Sequence, residues 1–172
     1  MVVFNEEPAG SGIDEGSVVT VTIAPNATFQ VGREETGEDG GFDMSGFSFS
    51  SGADLLVGQD VQIRPGTVSS SGGQTTVTTD LVRLWPSQIT GTVSNIDQSS
   101  GNITLTPTSA LFTGAMPPIN TLNVVTLSNM NEEDFSGSSL TVGSTVSFKG
   151  LLFNTSPTPT LVARTVREEH GD

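Results

Sequence analysis

The sequence predicts an all-β protein written as two consecutive units. Three observations lead there. Short runs alternate β-branched apolar and polar residues, as in Val19-Thr20-Val21-Thr22-Ile23 and Ile103-Thr104-Leu105-Thr106, which is the period of a strand with one face buried. Helical periodicity is almost absent, while 20 Gly and 9 Pro supply turns. The chain also repeats itself. Leu55-Leu56-Val57-Gly58-Gln59-Asp60-Val61-Gln62-Ile63-Arg64 returns as Leu140-Thr141-Val142-Gly143-Ser144-Thr145-Val146-Ser147-Phe148-Lys149. Downstream, Val82-Arg83 matches Val166-Arg167, and upstream Val21-Thr22-Ile23 matches Val125-Thr126-Leu127. One supersecondary unit is written twice.

The first unit, residues 1–86, is shortened at its start and expanded in its middle. Only Val2-Val3-Phe4 precedes Val18, so it matches the second strand of a complete unit and lacks the first. Ile23 to Leu55 spans 32 positions, whereas Leu127 to Leu140 spans 13. The excess is an acidic, Gly-rich insert near 31–50. Within it Phe42-Asp43-Met44-Ser45-Gly46-Phe47-Ser48-Phe49 alternates, which suits either an added strand or a loop folded back on the barrel. Gly58 and Gly143 each stand just before a strand, where a tight turn asks for positive φ.

The boundary falls at Trp85-Pro86-Ser87, because Pro86 has no N–H for a ladder and biases Trp85 away from helix. So short a linker predicts two barrels in contact. Trp85, the only tryptophan, is expected to pack at their junction; a glycan-stacking platform is its functional alternative. The second unit, residues 87–172, is the complete one and ends in a short acidic tail. Its strands are expected near 88–96, 102–108, 121–127, 144–151 and 158–167, with a turn at Asp97-Gln98-Ser99-Ser100-Gly101-Asn102. Five strands with regular turn signals suit a small closed or partly open barrel of the OB type, and closure removes hazardous sheet edges. The fold class is thus two consecutive small OB-like β-barrels, the first lacking a strand and carrying an acidic insert.

The formal charge of −13 and a pI near 4.1, with Lys149 the only lysine, argue against nucleic acid and against an anionic membrane surface. Cations, basic partners and neutral glycans stay open; solubility in a salty medium accounts for the same charge. Without cysteine there is no disulfide, thiolate zinc site or thiol catalysis. No apolar run is long enough for a helix to span a bilayer. Met1-Val2-Val3-Phe4 lacks the basic and apolar regions of a signal peptide, so the chain reads as cytosolic or as an exported protein whose leader has been removed.

The repeat resembles a bacterial family of exported proteins and lipoproteins that carry tandem β-barrel domains of unknown function. The residues that carry the resemblance are Ile89, Gly91, Val93 and Ile96, then Gly101, Ile103 and Leu105, then Leu140, Gly143, Val146, Phe148 and Gly150, then Ala163 and Val166. It covers most of 88–168 and, less completely, 55–84. It implies an OB-like barrel and an extracellular, periplasmic or cell-surface location, and transfers no catalytic residue. The missing first strand departs from the pattern. It implies either that Met1 lies within a longer protein or that a neighbouring chain donates the strand.

The residues best suited to chemistry are acidic. Glu34, Glu35, Glu38, Asp39 and Asp43 share the Gly-rich insert; Glu132, Glu133 and Asp134 fall at the corresponding place in the second unit. Carboxylates on flexible loops are what calcium requires, although EF-hand spacing is absent. The ordinary explanation is a solvated, self-repelling loop, and it applies more strongly to Glu6, Glu7, Asp14 and Glu15. His170, the only histidine, lies in the terminal tail, away from any expected triad partner. Paired carboxylates are the only realistic hydrolase machinery. Gly40-Gly41 and Gly72-Gly73 lack the Lys or helix of a phosphate loop. Triplets at Asn26, Asn102 and Asn154 are expected by chance in a chain rich in Ser and Thr. The sequence therefore predicts a non-enzymatic exported structural or interaction module, with a protein or cell-surface partner and no cofactor. The alternatives are a calcium- or glycan-binding module on the acidic loops, then a carboxylate hydrolase. The open strand position also offers a route to self-association.

Overall fold

A computed structural model describes residues 2–3, 13–14, 16–32, 45–133 and 140–168, with backbone alone at 2–3, 127–133 and 168. The chain is almost entirely β. Strands β1 (Val2–Val3), β2 (Val18–Val31), β3 (Asp60–Ser71) and β4 (Gln74–Trp85) form an open sheet in the order β1-β2-β4-β3. Strands β5 (Ser87–Ile96), β6 (Ile103–Pro107), β7 (Leu122–Glu133), β8 (Thr145–Phe153) and β9 (Thr160–Glu168) close a barrel in the order β5-β6-β7-β9-β8. A short helix, α1 (Ala110–Thr113), lies between β6 and β7, and a 3-10 turn at Gly52–Asp54 precedes β3.

Alternation builds the barrel. Ile89, Val93, Ile103, Leu105, Leu122, Val124, Val146, Phe148, Leu152 and Leu161 point inward and are buried. Two glycines let it close. A Cβ on Gly91 would stand 2.5 Å from the Thr106 carbonyl oxygen of β6, and one on Gly150 would strike the Val162 carbonyl of β9. The strand boundaries fall close to those expected, except that β7 runs on to Glu133 through a register shift between Thr126 and Asn131.

The open sheet is the same unit with its first strand absent from the described residues. β1 lies antiparallel on β2 (Val2↔Val19) as β6 lies on β7 (Leu105↔Leu122). β2 runs parallel to β4 (Val21↔Val77) as β7 runs parallel to β9 (Val124↔Leu161). Even the irregularities recur: Ile63↔Val82 then Pro65↔Thr79 in one unit, Phe148↔Val166 then Gly150↔Ala163 in the other. The turn glycines correspond too, Gly58 at φ +91° and Gly143 at φ +96°. One correction follows. The partner of Val21 in the repeat is Val124, not Val125, because Val77 and Leu161 are equivalent. Adjacent valines left that register unmarked in the sequence, and a one-residue slip exchanges the two faces of a strand.

The open sheet buries only part of its inner face within its own unit, where Ile13, Val19 and Val77 pack with Val21, Ile63 and Val68. Val82 and Leu84 of β4 pack against Leu151, Phe153 and Val162, which point out of the barrel wall, with Ile23, Phe29, Val31, Val61 and Ile63 around them. The insert contributes as well. Phe49 is buried there and meets Phe29 edge-on at 5.5 Å, while Phe47 stacks on Phe153 at 4.8 Å. Residues 45–49 are thus a folded-back loop rather than an added strand. The Leu55–Gln59 turn completes the contact. Leu56 packs on the barrel core, and the Phe112 ring of α1 fills the space where a Gly58 side chain would start. Gln59 Nε2 donates to the Leu152 carbonyl at 2.8 Å, Asn154 Nδ2 to the Ala53 carbonyl at 3.1 Å, and the Asp60 N–H to Ser87 Oγ at 2.8 Å.

Because one core serves both units, Phe153→Ala should cost about 3–5 kcal/mol and destabilise both together. Denaturant unfolding followed by far-ultraviolet dichroism and by Trp85 fluorescence should give coincident curves. Two separated transitions would show that the units fold independently.

Candidate functional site

The expected cation loops are not assembled into a site by the described residues. Glu34, Glu35, Glu38, Asp39, Asp43 and Asp134 lie outside them, as do Glu6, Glu7, Glu15 and His170. Glu132 and Glu133 differ from expectation. They belong to β7 itself, opposite Val166 and Arg167 of β9, and not to a loop beyond the third strand. The parallel partner carries the strand past its bulge, which the acidic composition concealed. Among the described residues, no group of three His, Cys, Asp or Glu side chains is placed to hold a metal ion.

The structure does assemble a polar row on the outer face of the open sheet. Parallel and antiparallel registers align Gln30, Arg83 and Gln62 across β2, β4 and β3. Arg83 donates to Gln30 Oε1 at 3.1 Å and to Gln62 Oε1 at 3.2 Å. Trp85 extends the row. Its Nε1 donates to Gln62 Oε1 at 3.3 Å, and its ring covers Gly32, where a Cβ would come within 2.9 Å. The sequence predicts packing of Trp85 at the junction, but its neighbour Leu84 is the one buried in the shared core. Successive residues of a strand face opposite sides, so burying Leu84 turns Trp85 outward. The row was not foreseen, because it needs the parallel pairing of β2 with β4, a contact between strands remote in sequence.

Charged groups on this sheet are few. Arg64 and Asp80 pair across β3 and β4 through two bonds, Nε to Oδ1 at 2.9 Å and Nη2 to Oδ2 at 2.7 Å. The pair holds the Asp80 carboxyl below, and the guanidinium above, their ordinary pKa values. Both side chains are more than half exposed, so water and salt weaken the pair. Asp60, beside the junction, has its carboxyl pushed up by desolvation even though the residue keeps an exposed surface.

The β5–β6 turn is organised by one carboxylate. Asp97 Oδ1 accepts from the Ser99 hydroxyl at 2.6 Å and the Ser99 N–H at 2.9 Å, and Oδ2 from the Ser100 hydroxyl at 2.7 Å. Gly101, at φ +73°, closes the turn by donating to the Asp97 carbonyl. Its geometry is that of a structural turn rather than of a catalytic pair.

No family model matches the chain, and no curated protein does. Two solved structures of CusF from Escherichia coli resemble it weakly. The copper(II) form of a tryptophan-to-alanine variant is 18% identical, with a TM-score of 0.33, over 48% of this chain and 90% of that one. The silver(I) form is 19% identical, also at 0.33, over 50% and 96%. Likeness of that degree says nothing of this chain's ligand. Among the described residues, no helix is long and apolar enough to cross a membrane.

Serine hydroxyls and a backbone N–H hold the Asp97 carboxyl down to about 2. A depressed carboxylate pKa adds stability above the unfolded value, and that contribution is lost as pH falls through about 2. Titration followed by NMR should give a midpoint near 2 for Asp97, and Asp97→Asn should loosen residues 97–102 at neutral pH without opening the barrel. A midpoint near 4 would mean that the turn does not hold the charge.

Proposed function

We propose that this protein is a non-enzymatic exported interaction module whose two β units act as one rigid platform for a protein or cell-surface partner. The observation that carries this reading is the shared core of Val82, Leu84, Leu151, Phe153 and Val162. It fixes the open sheet against the barrel, so that loops and strand edges from both units keep one relative geometry. Pre-organisation of that kind lowers the ordering cost of binding. The exported location is supported by the resemblance of the repeat to exported tandem-barrel proteins. The acidic insert, anchored at one end by Phe47 and Phe49 on this core, is the segment assigned to partner contact.

Removing residues 33–44 while keeping Phe47 and Phe49 should leave the melting temperature nearly unchanged and reduce capture of a partner from a surface extract of the source organism. Undiminished capture would exclude the insert as the contact. The calcium-binding alternative is separated by a melting experiment. The platform reading expects no change between millimolar calcium and chelator. A cation at about a hundred times its Kd would add about 2.7 kcal/mol, seen as a rise of several degrees that chelator reverses.

A further inference from the structure

The repeat shows what the open sheet lacks. In the barrel, β5 lies between β6 and β8 and pairs antiparallel with β8 from Ser87↔Gly150 to Thr92↔Thr145. By the register equivalence of the two units, the same stretch of the open sheet is Asp60–Pro65 of β3. Among the described residues, β3 pairs only with β4, and β1 only with β2. The exposure of the side chains follows. Val146 and Phe148, covered by β5, have no accessible surface. Their counterparts Val61 and Ile63 are only half-buried, and Pro65, counterpart of buried Gly150, is exposed. The second unit closes the position at one end, where Ser87 Oγ accepts the Asp60 N–H. Among the described residues, no strand lies along the free edge of Val61–Pro65.

The strand that fits such an edge is known from β5. Ile89 lies opposite Phe148, Thr90 opposite Ser147 and Gly91 opposite Val146; no residue from Ser87 to Ile96 is charged. Glycine is needed where β5 crosses β6, since a Cβ on Gly91 would stand 2.5 Å from the Thr106 carbonyl oxygen. We propose that the β3 edge at Val61–Pro65 binds an extended, uncharged segment of a different protein, antiparallel to β3, with the pattern β-branched, any residue, Gly, placed opposite Ile63, Gln62 and Val61. Main-chain hydrogen bonds would give the affinity, and the alternate side chains over Val61 and Ile63 the specificity. Pro65 offers a carbonyl but no N–H, which fixes where the ladder ends. This deepens the interaction-module reading by naming the partner's chemistry, and it rests on that reading while using a surface separate from the acidic insert.

The test uses the full chain and a synthetic peptide of residues 87–96, with a second peptide carrying Gly91→Val. Calorimetry and hydrogen exchange are read together. The expected result is one-to-one binding of the first peptide, slowed exchange at 61–64, and at least tenfold weaker binding of the valine peptide. Absence of binding at millimolar peptide, protection elsewhere, or equal binding of both peptides would overturn the proposal. So would protection of 61–64 that grows with protein concentration alone, since a second copy would then be the occupant. Lost capture on deleting the insert, together with failure of the peptide, would leave the module reading standing and remove only this edge.

Discussion

Everything in this molecule depends on one apolar contact, the inner face of an unclosed sheet laid against the outer wall of a closed barrel. A sheet of four strands with one face apolar cannot leave that face in water. Closing on itself requires a fifth strand, and none is present among the described residues. The barrel supplies a substitute in Leu151, Phe153 and Val162, three residues that an isolated barrel would expose. The contact therefore serves both partners, covering surface on each that neither could cover alone. Its polar rim, from Gln59, Asn154 and Ser87, fixes the orientation.

Much of this was legible in the sequence, because a repeat carries more information than a propensity. Alternation of Val and Thr marked the strands, and the recurrence of Gly58 as Gly143 fixed two equivalent turns. The five alternating runs of the second unit suited a closed or a partly open barrel, and the pairing of β5 with β8 closes it. What stayed hidden was register between distant strands. Val124-Val125 could be aligned either way with Val21, and only the parallel pairing with β9 decides. The extension of β7 through Glu132 and Glu133 was hidden for the same reason, since its support comes from β9 rather than from its own composition.

The candidate sites were less legible. Acidic clusters stand out in any sequence, but their spacing carried no coordination geometry, and most of them fall outside the described residues. Trp85 stood out as a singleton, yet the side it faces depends on which neighbour the core takes. Leu84 wins that place because an aliphatic chain is buried without leaving an indole N–H to satisfy. The open edge of β3 is a property of topology, visible only once the two units are superposed strand for strand.

The shared core also has a consequence in time. Synthesis delivers the open sheet first and its covering wall last, with Val162 following Trp85 by 77 positions. At ordinary elongation rates that interval is about 4 to 15 s. Throughout it, Val82, Leu84, Phe47 and Phe49 have no barrel to rest on. A chain in which the incomplete unit followed the complete one would have no such interval. The order of the two units thus makes the nascent protein most dependent on chaperones, or on its own high charge, while its first half waits for its second.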